Sequence, residues 1–259
     1  MRHHHLLLLL ALALSALQPF SPSAFSQTGH LVIIGGANKS PEIVERIVSL
    51  AGGPKRTRVL IVPFAMNKSA EKEGAKSRQL FLDAGCENID VILAPRSEID
   101  SEENLARLDG VNVVYFSGGY QKLLSDHLLG TKFLEKIRRI YEEGGVVSGT
   151  SAGAAVMSDT MLGGEGRKGF GFLPKHIVIH QHFIVRKRLM SIVSALIRQP
   201  DLTGVGIDES TAIVVNPREN MFEVLGASKV MVFETVNRPD KKTPSFKVRL
   251  LSSGDKCKM

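Results

Sequence analysis

Tryptophan is absent from this 259-residue chain, and tyrosine occurs only three times. Surfaces that stack on single-stranded nucleic acid rely on aromatic side chains, so that class of partner is disfavoured. Cysteine is scarce: Cys86 and Cys257 are the two, and no Cys-x-x-Cys occurs. A cysteine zinc site therefore has no support. In an exported protein the two could pair, but their spacing does not decide it. A membrane-spanning apolar run is missing too. The run from Leu6 to Leu14, continued past Ser15 to Leu17, falls short of the about 20 residues a helix needs to cross a bilayer. Long charged or low-complexity tracts are also lacking. With 43% hydrophobic and 23% charged residues, the composition is that of a globular protein rather than a disordered one.

The short apolar run fits another purpose. Arg2 and three histidines precede it, and the small residues Ala24 and Ser26 flank Phe25 beyond it. That order describes a secretory signal peptide, with cleavage before Gln27. The reading predicts residues 1–26 as signal peptide, residues 27–259 as a single domain, and a secreted or periplasmic protein; an uncleaved membrane anchor is the alternative. The remaining chain, roughly 230 residues, suits one α/β domain. Formal charge is +7 and becomes +6 once Arg2 is removed. The excess is dispersed, with small clusters at Arg186-Lys187-Arg188 and Lys241-Lys242. A solvated surface or a preference for anionic ligands would both explain it. No DNA-binding motif accompanies it, and no nucleic-acid partner is expected.

From His30 onward, short apolar runs alternate with helical patterns. Strands are expected at 31–34, 59–62, 88–93, 111–116 and 146–148, and helices at 41–50, 68–84, 102–108, 121–129 and 131–143. Ser40-Pro41-Glu42 is a helix start, with a hydroxyl cap, proline in the first turn and an early acid. Such alternation implies βαβ units and a doubly wound, mostly parallel sheet. After about residue 160 only 185–198 reads as helix, and short β-like runs at 176–182, 204–207, 211–215, 221–226, 229–234 and 246–251 complete the same domain. Ligands in such folds bind beyond the carboxyl ends of the strands. Gly35-Gly36-Ala37, Pro63-Phe64-Ala65, Ser117–Gln121 and Gly149–Gly153 collect there.

Gly149-x-Ser151-x-Gly153 fits a nucleophile elbow, with a strand before it and a helix-forming stretch, Ala152–Met157, after it. A sharp turn would lift the serine hydroxyl from the sheet edge, and the Ala152 N–H could stabilise an oxyanion. A serine nucleophile requires a base. Beyond residue 26 the histidines are His30, His127, His176, His180 and His182. The last three lie in one β-like run and would share a strand face. None follows His182, which disfavours the ordinary α/β-hydrolase with its late histidine. The same three could instead ligate zinc, with Glu165 nearby.

Five ordered stretches resemble the cyanophycinases and dipeptidase E enzymes, the S51 serine peptidases. They are Phe116–Gln121, Gly149–Met157, Gly169–Pro174, Gln181-His182-Phe183 followed by Arg186 and Arg188, and Gly204–Glu209. The resemblance implies a class I glutamine-amidotransferase-like, flavodoxin-like fold, a homodimer, no cofactor, and cleavage beside aspartyl or isoaspartyl residues. In cyanophycinases the substrate is poly-aspartate bearing arginine on its side chains. By motif, Ser151 would be nucleophile and His182 base. Gly119 and Ala152 would supply oxyanion N–H groups, and Gln121 and Gln181 would line the substrate site. Arg186 and Arg188 would hold carboxylates through their guanidinium forks. Glu165 is the first choice for the acid that orients His182, with Asp208 and Glu209 as alternatives. The chain departs from the cyanophycinase pattern at Tyr120, at His180, where an acid is usual, and at Ser191, where a third arginine is usual. These are substrate-binding positions, so hydrolysis is expected to persist while specificity for cyanophycin stays open. Two rivals remain: a metal-dependent hydrolase using His176, His180 and His182, and a non-catalytic protein that binds acidic peptides.

Overall fold

The computed structural model describes residues 29–37, 40–163, 167–236 and 244–259. The first half runs β1 (His30–Ile34), α1 (Pro41–Leu50), β2 (Arg58–Val62), α2 (Ala70–Asp83), β3 (Asn88–Val91), α3 (Glu102–Ala106), β4 (Val113–Phe116), α4 (Gln121–Leu128), α5 (Lys132–Glu142), β5 (Val146–Thr150) and α6 (Ala152–Ala155). The second half runs β6 (Ile177–Gln181), α7 (Leu189–Arg198), β7 (Thr203–Ile207), β8 (Thr211–Asn216), β9 (Met221–Gly226), β10 (Val230–Val236), β11 (Ser245–Leu251) and β12 (Lys256–Lys258).

The main sheet has eight strands in the order β12-β9-β8-β1-β5-β4-β2-β3. β3, β2, β4, β5 and β1 are parallel, and β8, β9 and β12 extend the β1 edge antiparallel. Alternation along β1 shows how both faces are buried. Val32 and Ile34 face a core layer built with Ile43, Ile47 and Phe81 from α1 and α2. Leu31 and Ile33 face the opposite layer, which contains Leu124, Phe133 and Ile137 from α4 and α5. A side-chain period of two places successive residues on opposite faces, so a strand covered on both sides reads as one continuous apolar run.

The β-rich half divides. β8, β9 and β12 join the main sheet, while β11-β10-β7-β6 form a second, four-stranded sheet. Ile177, Ile179, Val205 and Ile207 of that sheet share the core of Leu31 and Ile33. It therefore covers the same face as α4 and α5. α7 lies on its far side, where Ile192 and Leu196 pack with Phe183 and Phe233.

The structure sharpens the sequence reading at several points and moves one helix boundary. The C-terminal Lys256–Lys258 pairs antiparallel with β9 at the edge of the main sheet. α7 begins at Leu189 rather than 185, because the loop before it is held by hydrogen bonds to Asp208. Cys86 and Cys257 are free and buried in different core layers. The signal-peptide segment, residues 1–26, lies outside the described residues. Among the described residues no helix is long and apolar enough to cross a membrane.

Candidate active site

β5 lies between β1 and β4, both parallel to it, so the three carboxyl ends meet at one sheet edge. Ser151 follows β5 directly, with φ 54 and ψ −106. This conformation is uncommon for a residue with a Cβ and holds the serine out of the strand path. The flanking glycines have steric causes. A Cβ on Gly149 would lie 2.5 Å from the Gly153 carbonyl, and one on Gly153 would lie 2.3 Å from the Phe116 oxygen. Strand, turn and helix cross too closely for side chains at either place.

Three consecutive carbonyls at the end of β1 clamp the site. Ile34 O accepts from Ser151 N at 3.0 Å, Gly35 O from His182 N at 2.8 Å, and Gly36 O from Ser210 N at 2.8 Å. One strand end thereby aligns the β5 turn, the residue after β6 and the β7–β8 turn. Gly36 must be glycine here: its φ is +131, and a Cβ would sit 2.2 Å from His182 Cε1.

The side chains complete a chain of hydrogen bonds. His182 Nε2 lies 2.9 Å from Ser151 Oγ. His182 Nδ1 lies 2.7 Å from Glu209 Oε1. The carboxylate can only accept, so Nδ1 carries the proton and Nε2 is left to accept from the serine hydroxyl. The His182 side chain is 7% exposed against 31% for Glu209, so the imidazole titrates inside protein while the acid reaches solvent. Burial lowers the His182 pKa and outweighs the upward pull of its hydrogen bond to Glu209; the positive charges of Arg186 and Arg188 lower it further. A histidine acts as a base only when neutral. The acid limb of kcat/KM, which reports the free enzyme, is therefore expected to have its midpoint below the ordinary histidine value of about 6.5. A pH–rate profile with a midpoint at or above that value would contradict this arrangement. His180 stays out of the same range, because burial, then the Arg188 charge, holds its pKa at about 4.

The partner of Nδ1 is Glu209, which the sequence placed second to Glu165. Glu165 lies outside the described residues. Asp208, the other alternative, has a different task. Its Oδ1 accepts from Ile184 N at 3.0 Å and Val185 N at 3.1 Å, and its Oδ2 accepts from Ser228 Oγ at 2.7 Å. It is buried and anchors the loop that carries Arg186 and Arg188. Adjacent residues at a strand end point to opposite sides, which is why one reaches His182 and the other the loop.

The remaining site residues fall into three groups. Gly118 lies against Ser151, with only 3.4 Å between its would-be Cβ and the serine Cβ. Gly119 follows with φ +142, where a Cβ would strike the Ala65 oxygen at 2.3 Å. The N–H groups of Gly119 and Ala152 donate to no backbone carbonyl among the described residues. Gln121 accepts from Gln181 Nε2 at 3.2 Å and donates to Leu162 O at 2.7 Å. Arg188 donates to His180 Nδ1 at 3.2 Å. Arg186 borders a cavity of about 350 Å³ together with Ser151, His182 and Glu209.

The three histidines do not share a face as expected. His176 precedes β6 and is exposed. His182 follows the strand with φ 49, which turns it toward Ser151 while His180 meets Arg188. Among the described residues, no group of three His, Cys, Asp or Glu side chains could hold a metal ion.

Such an arrangement can deprotonate a serine, orient and charge-stabilise an imidazolium, and offer N–H donors to an oxyanion. Comparison with known proteins agrees with that chemistry. The model describing peptidase family S51 matches residues 31–222. A cyanophycinase of Synechococcus elongatus is 31% identical over 238 residues, covering 84% of this chain and 73% of the relative. A cyanophycinase of Trichormus variabilis is 30% identical over 268 residues, covering 93% and 88%. Among solved structures, a peptidase from an acI-B1 actinobacterium superposes with a TM-score of 0.73 at 24% identity, over 90% of this chain and 98% of that one. A putative peptidase E protein of Listeria monocytogenes gives 0.56 at 14% identity, over 77% and 99%, a likeness of fold.

Proposed function

The chain belongs to peptidase family S51 and is a serine-type peptidase, and from that premise we propose that it hydrolyses β-aspartyl bonds through Ser151, His182 and Glu209. The observation that carries the reading is the unbroken 2.9 Å and 2.7 Å hydrogen-bond path from Ser151 to Glu209. His182 Nε2 takes the Ser151 proton as Oγ attacks the scissile carbonyl carbon. The oxyanion forms against the N–H groups of Gly119 and Ala152. Collapse expels the amine, which receives its proton from His182, and leaves an acyl ester on Ser151. Water, deprotonated by the same imidazole, then attacks the ester and releases the acid. Glu209 accepts from Nδ1–H and stabilises the imidazolium.

The curated relatives are cyanophycinases, and a peptide of cyanophycin type is the substrate class. The isoaspartyl bond is the finer proposal. A β-linked aspartyl residue keeps its α-carboxylate free beside the scissile bond. Arg186, which borders the cavity, is the proposed partner of such a group, while Arg188, two residues on in the same loop, donates to His180 Nδ1. A panel of β-aspartyl and α-aspartyl dipeptides tests this. We expect β-aspartyl turnover to exceed α-aspartyl turnover by at least about tenfold in kcat/KM, a difference of about 1.4 kcal/mol in transition-state binding. Equal rates would leave a serine peptidase without the proposed specificity. Export belongs to the same reading, supported by the charged start, the apolar run and the Ala24-Phe25-Ser26 site. So does a homodimer, which rests on the family resemblance alone.

A further inference from the structure

The loop that brings Arg186 to the cavity is held firmly at its ends. His182 N donates to Gly35 O at 2.8 Å, and Phe183 N donates to Ile207 O at 3.2 Å. The Phe183 ring packs with Ile192, Leu196 and Phe233. At the other end Arg188 N donates to Phe183 O at 2.9 Å, and its guanidinium reaches His180. Residues 184–187, between these ends, are held differently. Ile184 and Val185 are 44% and 60% exposed, so burial of their side chains does little to fix the tip. The amides of Arg186 and Lys187 close the turn on His182 O and Ile184 O. Lys187 has φ 51, a conformation disfavoured for a residue with a Cβ.

Among the described residues, the hydrogen bonds that tie this tip to the fold beyond the loop are those to Asp208. Its Oδ1 accepts from the amides of Ile184 and Val185. Asp208 is itself fixed. It is buried, its N–H donates to Lys229 O at 3.2 Å, and its Oδ2 accepts from Ser228 Oγ. Ser228 N in turn donates to Thr211 Oγ1 at 2.8 Å. Hydrogen bonds to a carboxylate are stronger than those between neutral groups, so one buried side chain can hold a tip that its own packing does not.

We infer that Asp208 is a positioning residue for substrate binding, which holds Arg186 at the cavity through the backbone of Ile184 and Val185 and does not touch the substrate. The inference rests on Arg186 as the partner of the substrate carboxylate. Two neighbours in sequence then have separable effects. Glu209 acts on the base and hence on kcat, whereas Asp208 acts on the binding loop and hence on KM. The separation is possible because His182 is held by Gly35 O and Glu209, contacts in which the Asp208 side chain takes no part.

The experiment measures kcat and KM on a β-aspartyl dipeptide for wild-type protein, Arg186→Ala, Asp208→Ala, Asp208→Asn and the Arg186/Asp208 double alanine variant. Asp208→Ala should raise KM at least about tenfold and change kcat less than about threefold. Asp208→Asn should recover most of the loss, because its amide oxygen still accepts from both N–H groups while its NH2 donates to Ser228 Oγ. In the Arg186→Ala background, Asp208→Ala should alter KM less than about twofold, as expected of a residue that acts through Arg186. Hydrogen exchange at the Ile184 and Val185 amides should quicken in Asp208→Ala and slow again in Asp208→Asn. If Asp208→Ala does not fold, Ser228→Ala takes its place: it frees the carboxylate to turn, and should speed exchange at both amides and raise KM about threefold. Unchanged KM and exchange in the folded variant overturn the inference, as does a fall in kcat that matches the rise in KM. If Arg186→Ala leaves KM unchanged, the carboxylate partner itself is wrong. If Arg186→Ala raises KM and Asp208→Ala does not, the positioning role alone fails.

Discussion

Replacing Ser151 with alanine is expected to lower kcat on a β-aspartyl peptide by at least about four orders of magnitude. The loss is this large because, in the proposed mechanism, the hydroxyl is the group that forms the covalent bond. Nothing else at the elbow can replace it: Gly149 and Gly153 have no side chains and Ala152 contributes only its backbone. The fold should survive. Ser151 is held by its backbone, through N–H to Ile34 O at 3.0 Å, and alanine keeps that bond and tolerates φ 54 about as badly as serine does. A shift in unfolding free energy within about 1 kcal/mol is expected by urea titration. Wild-type turnover in this variant would mean that another group performs the attack.

Glu209→Gln should be the next most damaging change. The carboxylate accepts from Nδ1 and, in the proposed mechanism, balances the positive charge that His182 gains in the transition state. An amide in its place is neutral, and it can rotate to donate to Nδ1, which would leave the proton on Nε2 and deny the serine its acceptor. We expect kcat to fall roughly 10²- to 10⁴-fold with KM changed far less. The pH profile supplies a second reading. Glu209 raises the His182 pKa through its hydrogen bond and its charge. Without it, burial and the two arginines act unopposed, so the acid limb of the residual activity should move to lower pH. A variant with near-wild-type kcat and an unmoved limb would show that Glu209 neither orients nor stabilises the base.

Much of the parallel sheet was legible because its strands are buried on both faces. Leu31–Ile34 and Val59–Val62 read as unbroken apolar runs, and the helices between them carry the longer period. The elbow was legible for a similar local reason: two glycines around a serine, between a strand and a helix, leave little else for the backbone to do. The second sheet was not legible. Period-two runs announce strands but not their partners, and β8 joins β1 while β7 joins β6 and β10 across the fold.

The acid shows the same limit most sharply. Glu165, Asp208 and Glu209 are all carboxylates, and the family resemblance favoured the first. Asp208 and Glu209 are neighbours, yet one accepts two backbone N–H groups of the Arg186 loop and the other reaches His182. That division depends on where β7 ends relative to β1, through the Gly36 carbonyl that holds Ser210.

By itself, then, the sequence determined the strand–helix alternation and the glycine-flanked serine turn, since both follow from local sterics and periodicity, while the choice of His182 came with the family resemblance. Tertiary structure alone decided which described carboxylate meets His182, the separation of His180 from His182 and the charged lining of the cavity. Hydrogen bonds and charge pairs between distant segments are set by strand order and register, which no local pattern encodes.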